Sequence, residues 1–171
     1  MRIDLEKLDQ TGGKLSRTYQ PDELKFDQHD LTLTEPVIVD GRIRRKGLEV
    51  ELLGNLRTKV AVACARCLKS VELPIEVDFT ERFTPAVSWK DEEQHELSEE
   101  DLGLSAFDGE GIELDDLVKE EIMLAMPGQV LCSAGCKGLC PNCGVDFNTA
   151  SCDCSTKQID SRWEKLKELK R

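Results

Sequence analysis

The chain has 171 residues, 39% of them apolar and only 5% aromatic, with 34 acidic against 23 basic side chains and a formal net charge of −11. That length and composition allow one domain and an appendage around an aliphatic core, while no stretch approaches the ~20 consecutive apolar residues of a membrane span. The opening Met1-Arg2-Ile3-Asp4-Leu5-Glu6 has neither an apolar h-region nor a cleavage-site pattern, which points away from secretion and towards the cytoplasm, where thiols stay reduced.

Residues 1–36 read as an N-terminal segment, with a short apolar start (Ile3, Leu5, Leu8) and a polar stretch containing Thr11-Gly12-Gly13. From Val37 the texture becomes alternating. Val37 and Val39 lead into Arg42 to Arg45, a turn at Lys46-Gly47 follows, and Leu48, Val50 and Leu52 interleave with Glu49 and Glu51. This predicts an antiparallel pair of strands with one buried face. At Gly54-Asn55 either a second hairpin turn or a bulge in one long strand fits, and the bulge is preferred. Leu56, Thr58, Val60 and Val62 carry the alternation to Cys64, and it resumes at Val71, Leu73, Ile75, Val77 and Phe79.

Cys64-Ala65-Arg66-Cys67 therefore sits at a turn between two strands. A thioredoxin-type pair needs a helix N-terminus to lower the thiol pKa, so the oxidoreductase reading loses its physical support.

Twelve of the acids lie between Asp91 and Asp116, with no Lys or Arg among them, and the rest of the chain is close to neutral. Residues 90–112 read as a solvated acidic loop. Leu114, Leu117, Val118, Ile122, Leu124, Ala125 and Met126 then recur at helical spacing before Pro127, predicting an amphipathic helix over 113–126 lying on the sheet. Met123 and Met126 read as core filler.

Residues 128–171 begin with the most informative pattern in the chain. Six cysteines, Cys132, Cys136, Cys140, Cys143, Cys152 and Cys154, follow one another within 23 residues, and with Cys64 and Cys67 they make eight thiols spaced for tetrahedral Zn(2+), one or two ions. Cys140-Pro141-Asn142-Cys143-Gly144 has the form of a zinc knuckle, in which the glycine permits the turn that aims backbone N–H groups at sulfur. The first choice of sites is Cys140, Cys143, Cys152 and Cys154 for one ion and Cys64, Cys67, Cys132 and Cys136 for the other. A competing arrangement joins Cys64 and Cys67 to Cys140 and Cys143, and spacing does not choose between them. Either leaves each ion closed by thiolates, a structural and not a catalytic arrangement, with Arg66, Lys69 and Lys137 placed to offset its negative charge.

The chain ends in a net basic stretch from Ser155, in which Ser161 and Glu164 have capping-box spacing for a short helix carrying Trp163, Leu166 and Leu169. His29 and His95 stand alone in polar contexts. No phosphate loop, serine elbow or zincin pattern is present, so the expectation is a protein that is not an enzyme and has no small-molecule substrate.

These residues together resemble one family. Cys64-Ala65-Arg66-Cys67-Leu68 between strands, the acidic middle, Glu120-Glu121-Ile122-Met123-Leu124-Ala125-Met126-Pro127, and Cys136-Lys137-Gly138-Leu139-Cys140-Pro141-Asn142-Cys143-Gly144 followed by Asn148 and Cys152-Asp153-Cys154 are similar to the YceD family, named for large ribosomal RNA subunit accumulation. The resemblance runs from about Val37 to Leu169 and implies a role in accumulation or processing of the large-subunit (23S) ribosomal RNA and in ribosome assembly. It implies as partner either that RNA or a ribosomal protein or assembly factor. Arg42, Arg44, Arg45, Arg162, Trp163 and Lys165 are the candidate contact residues. A net charge of −11 tells against tight nonspecific RNA binding unless cations cluster locally.

The expected fold is α+β, an antiparallel sheet or partly closed barrel with a packed amphipathic helix and a C-terminal cysteine-rich zinc module. Its rival in function is a redox-responsive zinc-thiolate chaperone, whose thiolates release metal when oxidised.

Overall fold

The structure, a computed structural model, describes residues 1–5, 12–26, 31–86, 103–107 and 111–154. Two compact units divide the chain. One comprises Met1–Val62 and Val71–Gly128, the other Ala63–Ser70 and Gln129–Arg171, so the Cys64–Cys67 turn is grouped with the later cysteines and not with the strands that carry it.

The first unit is built on a six-stranded sheet of β2 (Gly13–Tyr19), β3 (Leu31–Leu33), β4 (Val37–Lys46), β5 (Glu49–Ala63), β6 (Ser70–Pro85) and β7 (Leu104–Phe107), in the order β2-β4-β5-β6-β7 with β3 also paired to β5. β1 (Arg2–Asp4) and β8 (Gly111–Glu113) form a separate antiparallel pair, and α1 (Leu114–Ala125) follows β8 directly. Among the described residues the sheet stays open, with β2 and β7 at its two ends. The barrel half of the expected architecture is thereby corrected, and the sheet is mixed, because β7 runs parallel to β6.

The predicted hairpin is present. Lys46 pairs with Glu49 across the two-residue loop Gly47-Leu48, and Gly47 has φ +66°, the conformation that a two-residue hairpin turn demands of its first central position. Beyond it β5 is a single strand, so the one-strand reading of Gly54-Asn55 holds over the second turn. The bulge does not appear in the β4–β5 ladder, where every pair from Ile38↔Arg57 to Lys46↔Glu49 keeps one register. Gly54 serves space instead: a Cβ there would lie 2.4 Å from Cζ of Phe79 on β6.

Alternation places Val37, Val39, Ile43, Val50, Leu52, Leu56 and Val60 on one buried face, each contributing about 1.5–3 kcal/mol for full burial. Among the described residues Tyr19 is the only aromatic side chain of the largest fully buried ones, in keeping with the aliphatic core expected from composition. Among the described residues the 1–36 segment supplies three strands to the fold, and the 90–112 segment supplies β7 and most of β8. Reading the latter as one solvated loop is corrected for these strands, while residues 90–102 and 108–110 lie outside the described residues. Strands of three or four residues are too short to show a period among acids, yet Ile112 is 3% exposed.

The helix spans the predicted residues to within one at each end. Leu114, Leu117, Val118 and Ile122 form its buried stripe, and Asp115 in its first turn accepts a 2.8 Å hydrogen bond from the Tyr19 hydroxyl of β2. Leu124, counted into the stripe from sequence, is 79% exposed, and Met123 and Met126 are half-buried rather than core. At 100° per residue Leu124 lies about 160° around the helix from Ile122 and about 20° outside Leu117, at the edge of the buried stripe.

Glu121 takes the buried place that Leu124 does not. Burial, then Glu81 and Glu120, raise its carboxyl pKa above the usual range. Only the ionised form suffers, so the penalty is missing below the ordinary carboxyl pKa near 4.3 and grows as pH rises through the raised value. Glu121→Gln is expected to add about 1 kcal/mol to urea stability at neutral pH and nothing near pH 3. An equal effect at both pH values would show that charge is not the cause.

Candidate metal centres

The second unit gathers all eight cysteines into two groups, Cys64, Cys67, Cys132 and Cys136, and Cys140, Cys143, Cys152 and Cys154. Within each group the sulfurs lie within 4.8 Å of one another, and none of the eight is in a disulfide. The first-choice grouping is the one the fold assembles. The competing union of Cys64 and Cys67 with Cys140 and Cys143 is not.

The spacing of the sulfurs tests what they fit. A tetrahedron with vertices about 2.3 Å from its centre, the Zn–S bond length, has edges of about 3.8 Å. Cys64 Sγ stands 3.8 Å from Cys136 Sγ, and Cys67 Sγ stands 3.5 Å from Cys132 Sγ. Sulfur pairs at that separation, within sets of four that all lie inside 4.8 Å, match a tetrahedral, thiophilic divalent ion, and a fourfold set offers no open position for a reacting water.

Local backbone explains how the groups form. In the Cys140 loop, the Gly144 N–H donates to the Cys140 carbonyl at 2.9 Å and the Cys140 N–H to the Val145 carbonyl at 2.8 Å; Gly144 has φ +74°. The Cys64 loop repeats this, with Leu68 N–H to Cys64 O at 2.9 Å, Cys64 N–H to Lys69 O at 2.8 Å and Leu68 at φ +61°. The chain therefore holds two knuckles. The first escapes a search for glycine because a leucine, 67% exposed, occupies the left-handed position.

Each knuckle aims amide hydrogens at its leading sulfur. The Cys67 N–H, with those of Arg66 and Cys132, draws the Cys64 thiol down to about 6 against the effect of burial; the Cys143 and Asn142 N–H groups do the same for Cys140, again to about 6. Neighbouring thiols Cys143 and Cys152, with burial, push Cys154 up to about 12. The thiols drawn down, Cys64 and Cys136 in the first group and Cys140 in the second, lose their protons most readily, and further negative charge is resisted until a cation offsets it.

A second layer of contacts surrounds the first group. Asn148 Nδ2 donates to Cys136 Sγ at 3.5 Å, while its Oδ1 accepts from the Lys137 N–H at 2.8 Å and its own N–H is held by Asp146 Oδ1 at 2.9 Å. Lys69 pairs with Asp146 at 2.8 Å. Arg66 donates to the Cys136 carbonyl at 2.8 Å. Of the cations expected to offset thiolate charge, Lys69 and Arg66 thus act first on a carboxylate and a carbonyl, and Lys137 acts through its backbone. Asn148 and Asp146 lie in the loop between Cys143 and Cys152, so a loop anchored by members of the second group carries a donor to the first. Asn148→Ala is expected to weaken metal binding at the first group by about 10–100-fold in competition with a chelator for Zn2+, while the stoichiometry at saturating metal stays unchanged. An unaltered affinity would make the contact incidental.

The other candidate residues fall elsewhere. Arg42, Arg44 and Arg45 belong to β4 in the first unit. Arg42 and Arg44 alternate onto the exposed face, whereas Arg45, opposite Val50, is on the other face at the hairpin end and folds onto the Gly47 carbonyl at 3.3 Å. Arg162, Trp163 and Lys165, the terminal helix and both histidines lie outside the described residues. Among the described residues no helix is long and apolar enough to cross a membrane.

Comparison with known proteins adds the lineage. The family model described as "Large ribosomal RNA subunit accumulation protein YceD" matches residues 52–170, a span that contains all eight cysteines. This chain belongs to the YceD family. Among relatives, an uncharacterized protein of Mycobacterium tuberculosis is 27% identical over 99% of this chain and 81% of its own length. The uncharacterized protein YlbN of Bacillus subtilis is 27% identical over 96% of this chain and 92% of its own length. The chloroplastic large ribosomal RNA subunit accumulation protein YCED homolog 1 of Arabidopsis thaliana is 24% identical over 79% of this chain and 49% of its own length. No solved structure matches.

Proposed function

We propose that this YceD-family chain is a non-enzymatic factor required for accumulation of the large-subunit ribosomal RNA, and that it carries two structural Zn2+ ions, one in each cysteine group. The match of the family model across residues 52–170 carries the first part. The two closed sets of four sulfurs support the second, because all-thiolate coordination contributes folding energy and leaves no position for substrate. Depletion in cells, with the ratio of large- to small-subunit RNA as readout, tests the role. The large-subunit RNA and its processing are expected to fall selectively; an unchanged ratio would refute the assignment.

A second reading has one observation in its favour. Each group has one exposed member, Cys132 in the first and Cys143 in the second, which gives an oxidant access to a thiolate. A redox-responsive chaperone would release zinc under mild peroxide and then suppress aggregation of an unfolded client. A purely structural pair of sites keeps its metal in that titration.

A further inference from the structure

On the exposed face of the first unit's sheet, Lys14 of β2 lies directly opposite Arg42 of β4, and Arg44 follows two residues along, about 6.7 Å further on the same face. All three are exposed. Like charges directly opposite one another in a sheet are destabilising. The anions of this face do not relieve them: Asp40 accepts from Ser16 Oγ at 2.8 Å and meets Arg57 at 3.9 Å, and Glu51, although opposite Arg44, is paired with Lys46 at 3.2 Å. Among the described residues Lys14, Arg42 and Arg44 have no ion pair. Edge protection accounts for a lysine on β2, an edge strand, but β4 lies between β2 and β5 and has no edge to protect.

We infer that Lys14, Arg42 and Arg44 form a contact surface for the phosphate backbone of an RNA strand. This rests on the role in RNA accumulation proposed above and assigns that role a direct contact. RNA fits better than a protein partner. Protein interfaces centre on apolar and aromatic side chains, whereas among the described residues the only large apolar side chain exposed on this face is Ile38, at 38%. Phosphate contact needs only clustered cations, whose affinity comes from released counterions. The overall charge of −11 does not oppose this locally, since twelve acids are concentrated between Asp91 and Asp116. The surface offers charge without a base-reading groove, so binding is independent of sequence.

The test uses the full-length, zinc-loaded protein and a short labelled single-stranded RNA of mixed sequence, titrated across a salt series. Replacing Lys14, Arg42 and Arg44 together by Gln is expected to weaken binding on the order of 100-fold at 0.1 M salt and to reduce the salt slope by about 2, three phosphate contacts at about 0.7 each. Arg45→Gln, on the opposite face, leaves both unchanged. Lys14→Gln alone is expected to raise the Tm by about 1–3 °C by removing the repulsion with Arg42; a fall would assign the pair a structural role and overturn the inference. Unaltered RNA affinity and slope in the triple variant would also overturn it, even where depletion shows that RNA accumulation depends on the protein. So would a triple variant that binds RNA normally but no longer binds a purified ribosomal protein, for then the occupant is protein.

Discussion

Under reducing conditions, a strong chelator is expected to abolish hydrogen-exchange protection across 129–154 while the β4 and β5 amides keep theirs. Among the described residues of the second unit the buried side chains are Cys64, Cys67, Val130, Cys136 and Cys140. Four of these five are candidate ligands. With the metal removed, one valine remains as apolar core, which cannot offset about 1–2 kcal/mol of backbone entropy for each ordered residue. A bound structural Zn2+ contributes about 10–16 kcal/mol in small zinc peptides near neutral pH, as much as the whole stability of many domains. The first unit has its own aliphatic core and should survive. Cys64→Ser and Cys140→Ser should each lower the metal content from two ions to one. A metal-free protein that kept full protection over 129–154 would show that the sulfurs are not what holds this unit together.

Gly54→Val is expected to destabilise the sheet by about 3 kcal/mol, seen as a lower urea midpoint with little change in slope. A Cβ at Gly54 would stand 2.4 Å from Cζ and 2.8 Å from Cε1 of Phe79, a ring only 5% exposed and therefore unable to swing into solvent without losing its own burial. Adding Phe79→Leu to Gly54→Val should recover more than 1 kcal/mol relative to the sum of the two single effects. Gly41, opposite Gly54, provides the control. Its added Cβ would meet the Leu53 carbonyl oxygen at 2.5 Å, and since that atom is backbone, Phe79→Leu should give Gly41→Val no relief. Strict additivity at Gly54 would remove the ring as the cause.

The Gly54 result also shows how a local signal misleads. Gly-Asn within a strand reads as a bulge, yet a bulge inserts one residue and moves every later side chain to the other face. Val50, Leu52, Leu56, Thr58, Val60 and Val62 all keep even numbers, so parity already argued against it. The glycine answers to a ring 25 residues away, which no local pattern reveals. Arg45 is the converse case. Adjacent to Arg44 in sequence, it lies on the opposite face by the same parity, and only its place at the exposed hairpin end keeps it from burial.

What the residues alone determined was the period-two alternation of β4, β5 and β6, the helix before Pro127, the turn at Cys64–Cys67 and the chemistry of eight closely spaced thiols. Each follows from neighbours within a few positions, where backbone geometry and side-chain period act directly. Tertiary structure decided which cysteines gather into one group, since spacing allowed two pairings and only the placement of Cys132 and Cys136 beside the first knuckle distinguished them. It also decided that Leu68 adopts the glycine-like turn, that β7 and β8 form within an acidic stretch, and that Lys14 faces Arg42. Those outcomes depend on contacts between residues far apart in the chain, and their energies exceed the local preferences that they override.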